Sequence, residues 1–68
     1  MIQPGRYQHY KGNFYTVLNT VTHSETEEVL VLYKPEKSDR LWVRPLNMFL
    51  EKVIVDGAEI DRFRFINT

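Results

Sequence analysis

The sequence predicts an all-β domain, a small, partly open SH3-like barrel of five or six short strands with one short helical turn near residues 45–50. Three observations lead there. Runs rich in β-branched and aromatic residues recur at close spacing along the chain. Gly, Pro and Asn punctuate the gaps between them, and no helical apolar period lasts more than a turn or two. The 68 residues suffice for a single small domain spanning 1–68. An OB-like barrel is the alternative architecture and ordinarily needs a longer chain.

The first strand is "RYQHY" (6–10), which alternates as a half-buried strand does. "KGN" (11–13) turns the chain, because Gly12 and Asn13 tolerate positive φ. "FYTVLNTVT" (14–22) is the longest β-branched run and completes a first hairpin. "EVLVLY" (28–33) carries apolar residues on both faces, as a strand covered on both sides would, and Pro35 ends it. "LWVR" (41–44) is a short strand closed by Pro45. Pro45 then suits the first position of a helical turn over "PLNMFLE" (45–51), with Leu46, Phe49 and Leu50 at i, i+3, i+4 spacing. In "VIVDGAEI" (53–60), Asp56-Gly57 between apolar stretches is a strong two-residue hairpin signal. "RFRFI" (62–66) alternates, with Phe63 and Phe65 inward.

Composition narrows the function classes. There is no cysteine, so neither a disulfide nor a thiolate site is available, which fits a reducing compartment. A domain this small buries only about 60% of its unfolded surface. Aromatic residues at 13% supply the large buried areas such a core needs. Nine basic side chains balance nine acidic ones, and a neutral domain lacks the basic excess of a phosphate binder. No stretch approaches the roughly 20 apolar residues of a membrane helix. Residues 1–5 lack the pattern of a secretion signal, so a cytoplasmic location is expected.

"HSETEE" (23–28) invites a chemical interpretation. On an extended chain His23 and Glu25 share a face, Glu28 could fold back beside them, and His9 could join to hold a divalent metal. Against this, a His-x-Glu spacing is common by chance, and a solvated turn has the same composition. Ser24 cannot reach its neighbour His23 as a nucleophile must, because adjacent side chains on a strand point apart. Trp42 and Arg44 share one face of their strand, and Leu41 and Val43 are the natural core face. That leaves an indole and a guanidinium outward, the residue types that dominate binding hot spots. Tyr7, Tyr10, Tyr15 and Tyr33, with Lys11, Arg62 and Arg64, could instead offer stacking platforms and a positive edge to bases.

Taken in order, "GRYQHYKGNFYTVL", "HSETEE", "LVLY", "LWVRPLNMF" and "DGAEIDRF" resemble the domain-of-unknown-function 1653 family, a set of short bacterial proteins. The resemblance spans Gly5 to about Phe65. It implies a stand-alone small β domain and no established activity. It also implies polar motif positions at His9, Lys11, His23, Glu25, Glu28, Arg44 and Arg62, with motif aromatics at Tyr7, Tyr15, Tyr33, Trp42 and Phe49. Asp61 stands where the family often has proline, and the "KPEKSDR" loop (34–40) departs from the family's tyrosine-containing loop.

The expected site therefore comprises His9, Lys11, His23, Glu25, Glu28, Trp42, Arg44 and Arg62, gathered if the sheet curls closed. The function ranked first is a non-enzymatic binding module, with a recognition surface around Trp42, Arg44 and the His23–Glu28 turn for a small ligand or protein segment. A metal-assisted hydrolase using His23, Glu25 and Glu28 ranks second, and a nucleic-acid-binding barrel last. No cofactor and no catalytic residue is assigned.

Overall fold

The β-branched run at 14–22 forms the longest strand, and every other strand of the main sheet is placed by its pairing to it or to its partners. The computed structural model describes residues 2–68. Its elements in chain order are β1 (Gly5–His9), β2 (Phe14–Thr22), β3 (Val29–Pro35), β4 (Trp42–Pro45), α1 (Leu46–Phe49), β5 (Lys52–Val55), β6 (Ala58–Asp61) and β7 (Phe63–Asn67). There are seven strands, and the hairpin expected over 53–60 supplies two of them, β5 and β6. Asp56 and Gly57 between them have φ of 51° and 81°, as a type I′ hairpin requires. β5 and β6 form a separate two-stranded ribbon. The other five make an antiparallel sheet in the order β4-β3-β2-β1-β7.

This sheet is not a closed barrel, since β4 and β7 are its two edges. It is strongly curled all the same. The Arg44 guanidinium on one edge lies 5.6 Å from the centre of the Phe63 ring on the other. The edges thus face each other over a seam without exchanging backbone hydrogen bonds.

Register decides which side chains fill the curl. Val17 stands opposite Tyr33, Tyr7 opposite Tyr15, and His9 opposite Phe63. The buried core is Tyr7, Val17, Val31, Tyr33, Phe49 and Phe63, with Ile2, Tyr15 and Leu46 packed against it. Val31 pairs with Arg44 and Tyr33 with Trp42, so Trp42 and Arg44 lie on the core face. This corrects the expected facing of β4. Leu41 and Val43, taken as its core side, are 54% and 55% exposed.

α1 closes one end of the curl. Pro45 does not take the expected first helical position: it is the last residue of β4, its ψ of 138° is extended, and it stands just outside the turn, which begins at Leu46. The helix ends at Phe49, one residue short of the i+4 position, and Leu50 there is exposed. Phe49 is 1% exposed and stacks on Phe63 at 4.1 Å with an interplanar angle of 6°. Tyr7 and Tyr33 meet it edge-on, each at 5.5 Å. The Tyr7 hydroxyl donates to the Gln3 carbonyl at 2.6 Å, which satisfies its polar end. No helix among the described residues is long and apolar enough to cross a membrane.

Candidate functional site

β4 carries Trp42 and Arg44 to one lip of the seam, and β1 and β7 carry His9 and Phe63 to the other. The floor between them is aromatic. Tyr15 touches four rings: Tyr33 at 5.6 Å, Phe63 at 5.6 Å, Trp42 at 6.2 Å and His9 at 6.3 Å. The His9 imidazole meets Phe63 edge-on at 4.9 Å. Trp42 keeps 42% of its surface exposed although it packs on Tyr33. Beside Trp42 and Tyr15 opens a groove of about 410 Å³, lined also by Phe14, Pro35, Glu36, Lys37 and the 12–13 turn.

Three cationic or ionisable groups surround that floor. Arg44 Nε donates a long hydrogen bond of 3.4 Å to the Tyr33 hydroxyl. Among the described residues no carboxylate pairs with Arg44. Arg62, at the bend between β6 and β7, is held by Glu51, which accepts from its guanidinium at 2.9 Å and from its backbone N–H at 3.1 Å. Arg62 Nε is nevertheless buried with no hydrogen-bond partner in the chain. Leaving such a donor unmet costs on the order of 1–3 kcal/mol. His9 Nδ1 accepts the Lys11 backbone N–H at 3.2 Å, so in the neutral ring Nε2 carries the proton and is a donor.

His9 is held below the usual imidazole range, first by burial and then by the positive charges of Arg62, Arg44 and Lys11. The unfolded chain therefore takes up this proton at a higher pH than the folded one. The corresponding stability is present at neutral pH and is lost as pH falls through the ordinary imidazole value. Urea midpoints should drop for the parent chain between about pH 7.5 and about pH 5.5. The His9→Gln variant should show a shallower drop over that interval, and an identical slope would place His9 in an unperturbed environment.

The structure divides the expected site residues into two groups. Arg44 and His9 both reach the Phe63 ring, Trp42 joins them through Tyr15, Arg62 stands at the bend just before Phe63 on Glu51, and Lys11 lies near the Tyr10 ring. His23, Glu25 and Glu28 do not join them. Their turn closes the β2–β3 hairpin at the Thr22–Val29 rung, four residues along β3 from the Tyr33–Trp42 rung, or about 13 Å. Its polar groups serve one another. His23 Nδ1 accepts the Glu25 and Thr26 backbone N–H groups, His23 N–H donates to the Glu28 carbonyl, and Glu27 takes a positive φ of 62°. Among the described residues no three His, Asp or Glu side chains lie close enough together to hold a metal ion. The tyrosine platform is likewise split, since Tyr7 and Tyr33 are core. Arg64 bonds Gln8 at 2.9 Å, alongside the β1–β7 rung those two residues share.

Phe63 was legible as a core aromatic and Tyr15 as a motif aromatic or stacking platform; their place as the floor of the seam follows from long-range pairing. Glu51, which fixes Arg62, carried no signal beyond its charge.

Comparison with known proteins agrees with the architecture. No curated protein matches the chain. A crystal structure of a DUF1653 protein from Bordetella bronchiseptica superposes with a TM-score of 0.86 at 31% identity, covering 96% of this chain and 87% of that one. The family described as "Protein of unknown function (DUF1653)" matches residues 5–65. With nearly its whole length matched, the chain belongs to the DUF1653 family.

Proposed function

We propose that the chain is a non-enzymatic binding module on an SH3-like, partly open barrel, and that its recognition surface is the seam between β4 and β7. The observation that carries this is the approach of Arg44 on β4 to the Phe63 ring on β7 across two unjoined sheet edges, with His9 against Phe63 and Trp42 on the same face of β4 as Arg44. Convergent polar groups beside an aromatic wall are what a ligand site requires. A half-exposed indole and a guanidinium without a carboxylate partner supply contact area and charge at one place. The ligand is a small molecule or a protein segment whose flat or apolar part rests on Tyr15 and Trp42, in the groove toward Pro35. The His23–Glu28 turn stays outside this surface. The cysteine-free chain suits a reducing compartment, and we assign it to the cytoplasm.

The test is a fragment screen against the nitrogen-15-labelled chain, using acidic, basic and neutral aromatic fragments. Saturable shifts should map to the amides of Tyr15, Trp42, Arg44 and Phe63. Arg44→Ala should remove them while leaving the thermal midpoint within a few degrees. Hits scattered over the surface would sink the proposal, and unfolding of Arg44→Ala would assign that side chain to stability instead.

A further inference from the structure

We propose that the groove beside Trp42 and Tyr15 takes a proline-rich peptide segment in the polyproline II conformation, with an acidic residue of that segment set against Lys37. This rests on the binding-module reading and names the kind of partner.

The groove exists because two neighbouring strands end unequally. β4 begins at Trp42, which pairs with Tyr33, whereas β3 runs on to Pro35. On its other side β3 is still paired there, since Tyr15 stands opposite Pro35. That last rung therefore has a neighbouring strand on one side only. Trp42 stands at the open corner, its ring centre 6.2 Å from that of Tyr15 and tilted 45° to it. The space left over is the groove of about 410 Å³, a size found for ligand sites. Its apolar walls are aromatic rings and one pyrrolidine, the kind of surface on which proline-rich segments dock.

Hydrogen-bonding capacity narrows the occupant. The carbonyls of Gly12, Asn13, Phe14 and Pro35 already accept, from Gln8 Nε2 and from the backbone N–H groups of His9, Glu36 and Ser38. Both carboxylate oxygens of Glu36 accept from the Arg6 guanidinium. The Trp42 indole N–H, the Tyr15 hydroxyl and the Lys37 ammonium have no partner among the described residues. The unpaired Tyr15 hydroxyl is not a buried atom, so water, and a ligand, can reach it. An ordinary extended segment would bring an N–H at every residue and find few acceptors here. Proline has no N–H, and a polyproline II segment makes no internal hydrogen bonds, so its carbonyls are free to accept. Such a segment meets donors with acceptors and rings with rings. It is also preformed, so little freedom is lost on binding.

Charge supplies the rest. With Glu36 held by Arg6, Lys37 is the one unpaired charge on the groove wall among the described residues. The complementary segment carries an acidic residue at that end. A nucleic-acid strand would need cations along the groove to follow its phosphates, and this wall has a single free one.

The test titrates two blocked synthetic peptides of equal length into the full chain. One is an aspartate followed by a run of prolines, the other an aspartate followed by alternating glycine and serine. The readouts are the indole N–H resonance, unambiguous because Trp42 is the single tryptophan, and the amides of Asn13, Tyr15 and Lys37. Saturable shifts of these signals by the proline peptide, at a Kd at least about tenfold below that of the glycine–serine peptide, support the proposal. Tyr15→Phe, which deletes only the hydroxyl, should weaken binding by about twofold to tenfold, as loss of one neutral hydrogen bond does. Lys37→Gln, at an exposed position where the fold is not at stake, should weaken the aspartate–proline peptide by about twofold to fivefold. It should leave the affinity for an uncharged run of prolines unchanged. Equal responses to the two peptides, or no saturable shift from either, overturn the proposal. So does an oligothymidylate that saturates these signals where the proline peptide does not. An aspartate–proline affinity untouched by Lys37→Gln overturns the acidic position. Neutral aromatic fragments keep the two proposals apart. If they shift Trp42 and Tyr15 while the proline peptide fails, the peptide is wrong and the recognition surface stands; if they fail too, both fall.

Discussion

Phe49→Ala should leave the chain without a cooperative thermal transition. The Phe49 ring is 1% exposed and contacts three other core rings, stacked on Phe63 and edge-on to Tyr7 and Tyr33. Removing a buried phenylalanine costs about 3–5 kcal/mol through lost transfer energy and the residual cavity. Each aromatic pair adds about 0.5–1.5 kcal/mol beyond area alone. Against this stands a 68-residue chain, for which a total stability of about 0.05–0.15 kcal/mol per residue gives about 3–10 kcal/mol. No disulfide supplements it. The loss therefore rivals the whole. Phe49 is also the one fully buried side chain of α1, with Leu46 packed only partly against the core, so its loss loosens the hold of α1 on the sheet. Near-ultraviolet circular dichroism should flatten at 25 °C in Phe49→Ala, while Phe49→Leu, which keeps most of the volume, should retain a lowered midpoint. A Phe49→Ala midpoint only a few degrees below the parent would show that the curl holds without its lid.

Sequence made some of these features plain and hid others, for identifiable reasons. The β2 run and the Asp56-Gly57 turn are local. Valine, threonine and aromatic rings favour extended backbone, and only a short list of residues takes two positive φ values in succession. The facing of β4 is not local. Alternation alone offers Leu41 and Val43 as the apolar side, yet Tyr33 stands opposite Trp42, and that pairing turns the leucine and valine to solvent. The separation of the acidic turn from the indole was within reach of connectivity. In an antiparallel meander the start of β4 must lie beside the end of β3, whereas the β2–β3 turn lies at its beginning. The approach of Arg44 to Phe63 was not within reach, because it depends on how far a five-stranded sheet curls. The seam joins residues brought together by that curl, so any change that flattens the sheet should weaken the site before it unfolds the chain.

Gly5→Ala should be that change, and its cost should exceed that of Gly12→Ala. Both glycines have positive φ, 142° and 110°, where a side chain is strained. Strain of this kind costs on the order of 1–3 kcal/mol. At Gly12 a Cβ meets nothing within 4 Å, so strain is all that the substitution adds. At Gly5 the Cβ would sit 2.5 Å from the Asn67 carbonyl oxygen and 3.0 Å from Phe65 Cε1. The first of these is backbone and cannot rotate away. Asn67 ends β7, and the β1–β7 register already shifts between Arg6 and Tyr7, so relief must come from β7 moving off β1. β7 carries Phe63, and with it one lip of the seam. Chemical denaturation should therefore place Gly5→Ala at least about 1 kcal/mol below Gly12→Ala. Amide exchange should quicken along residues 63–67 in the Gly5 variant alone, because only there does a strand lose its fit. Equal losses at the two positions, with β7 amides unchanged, would mean that β1 and β7 slide apart at no cost and that the sheet does not need Gly5 to keep its curl.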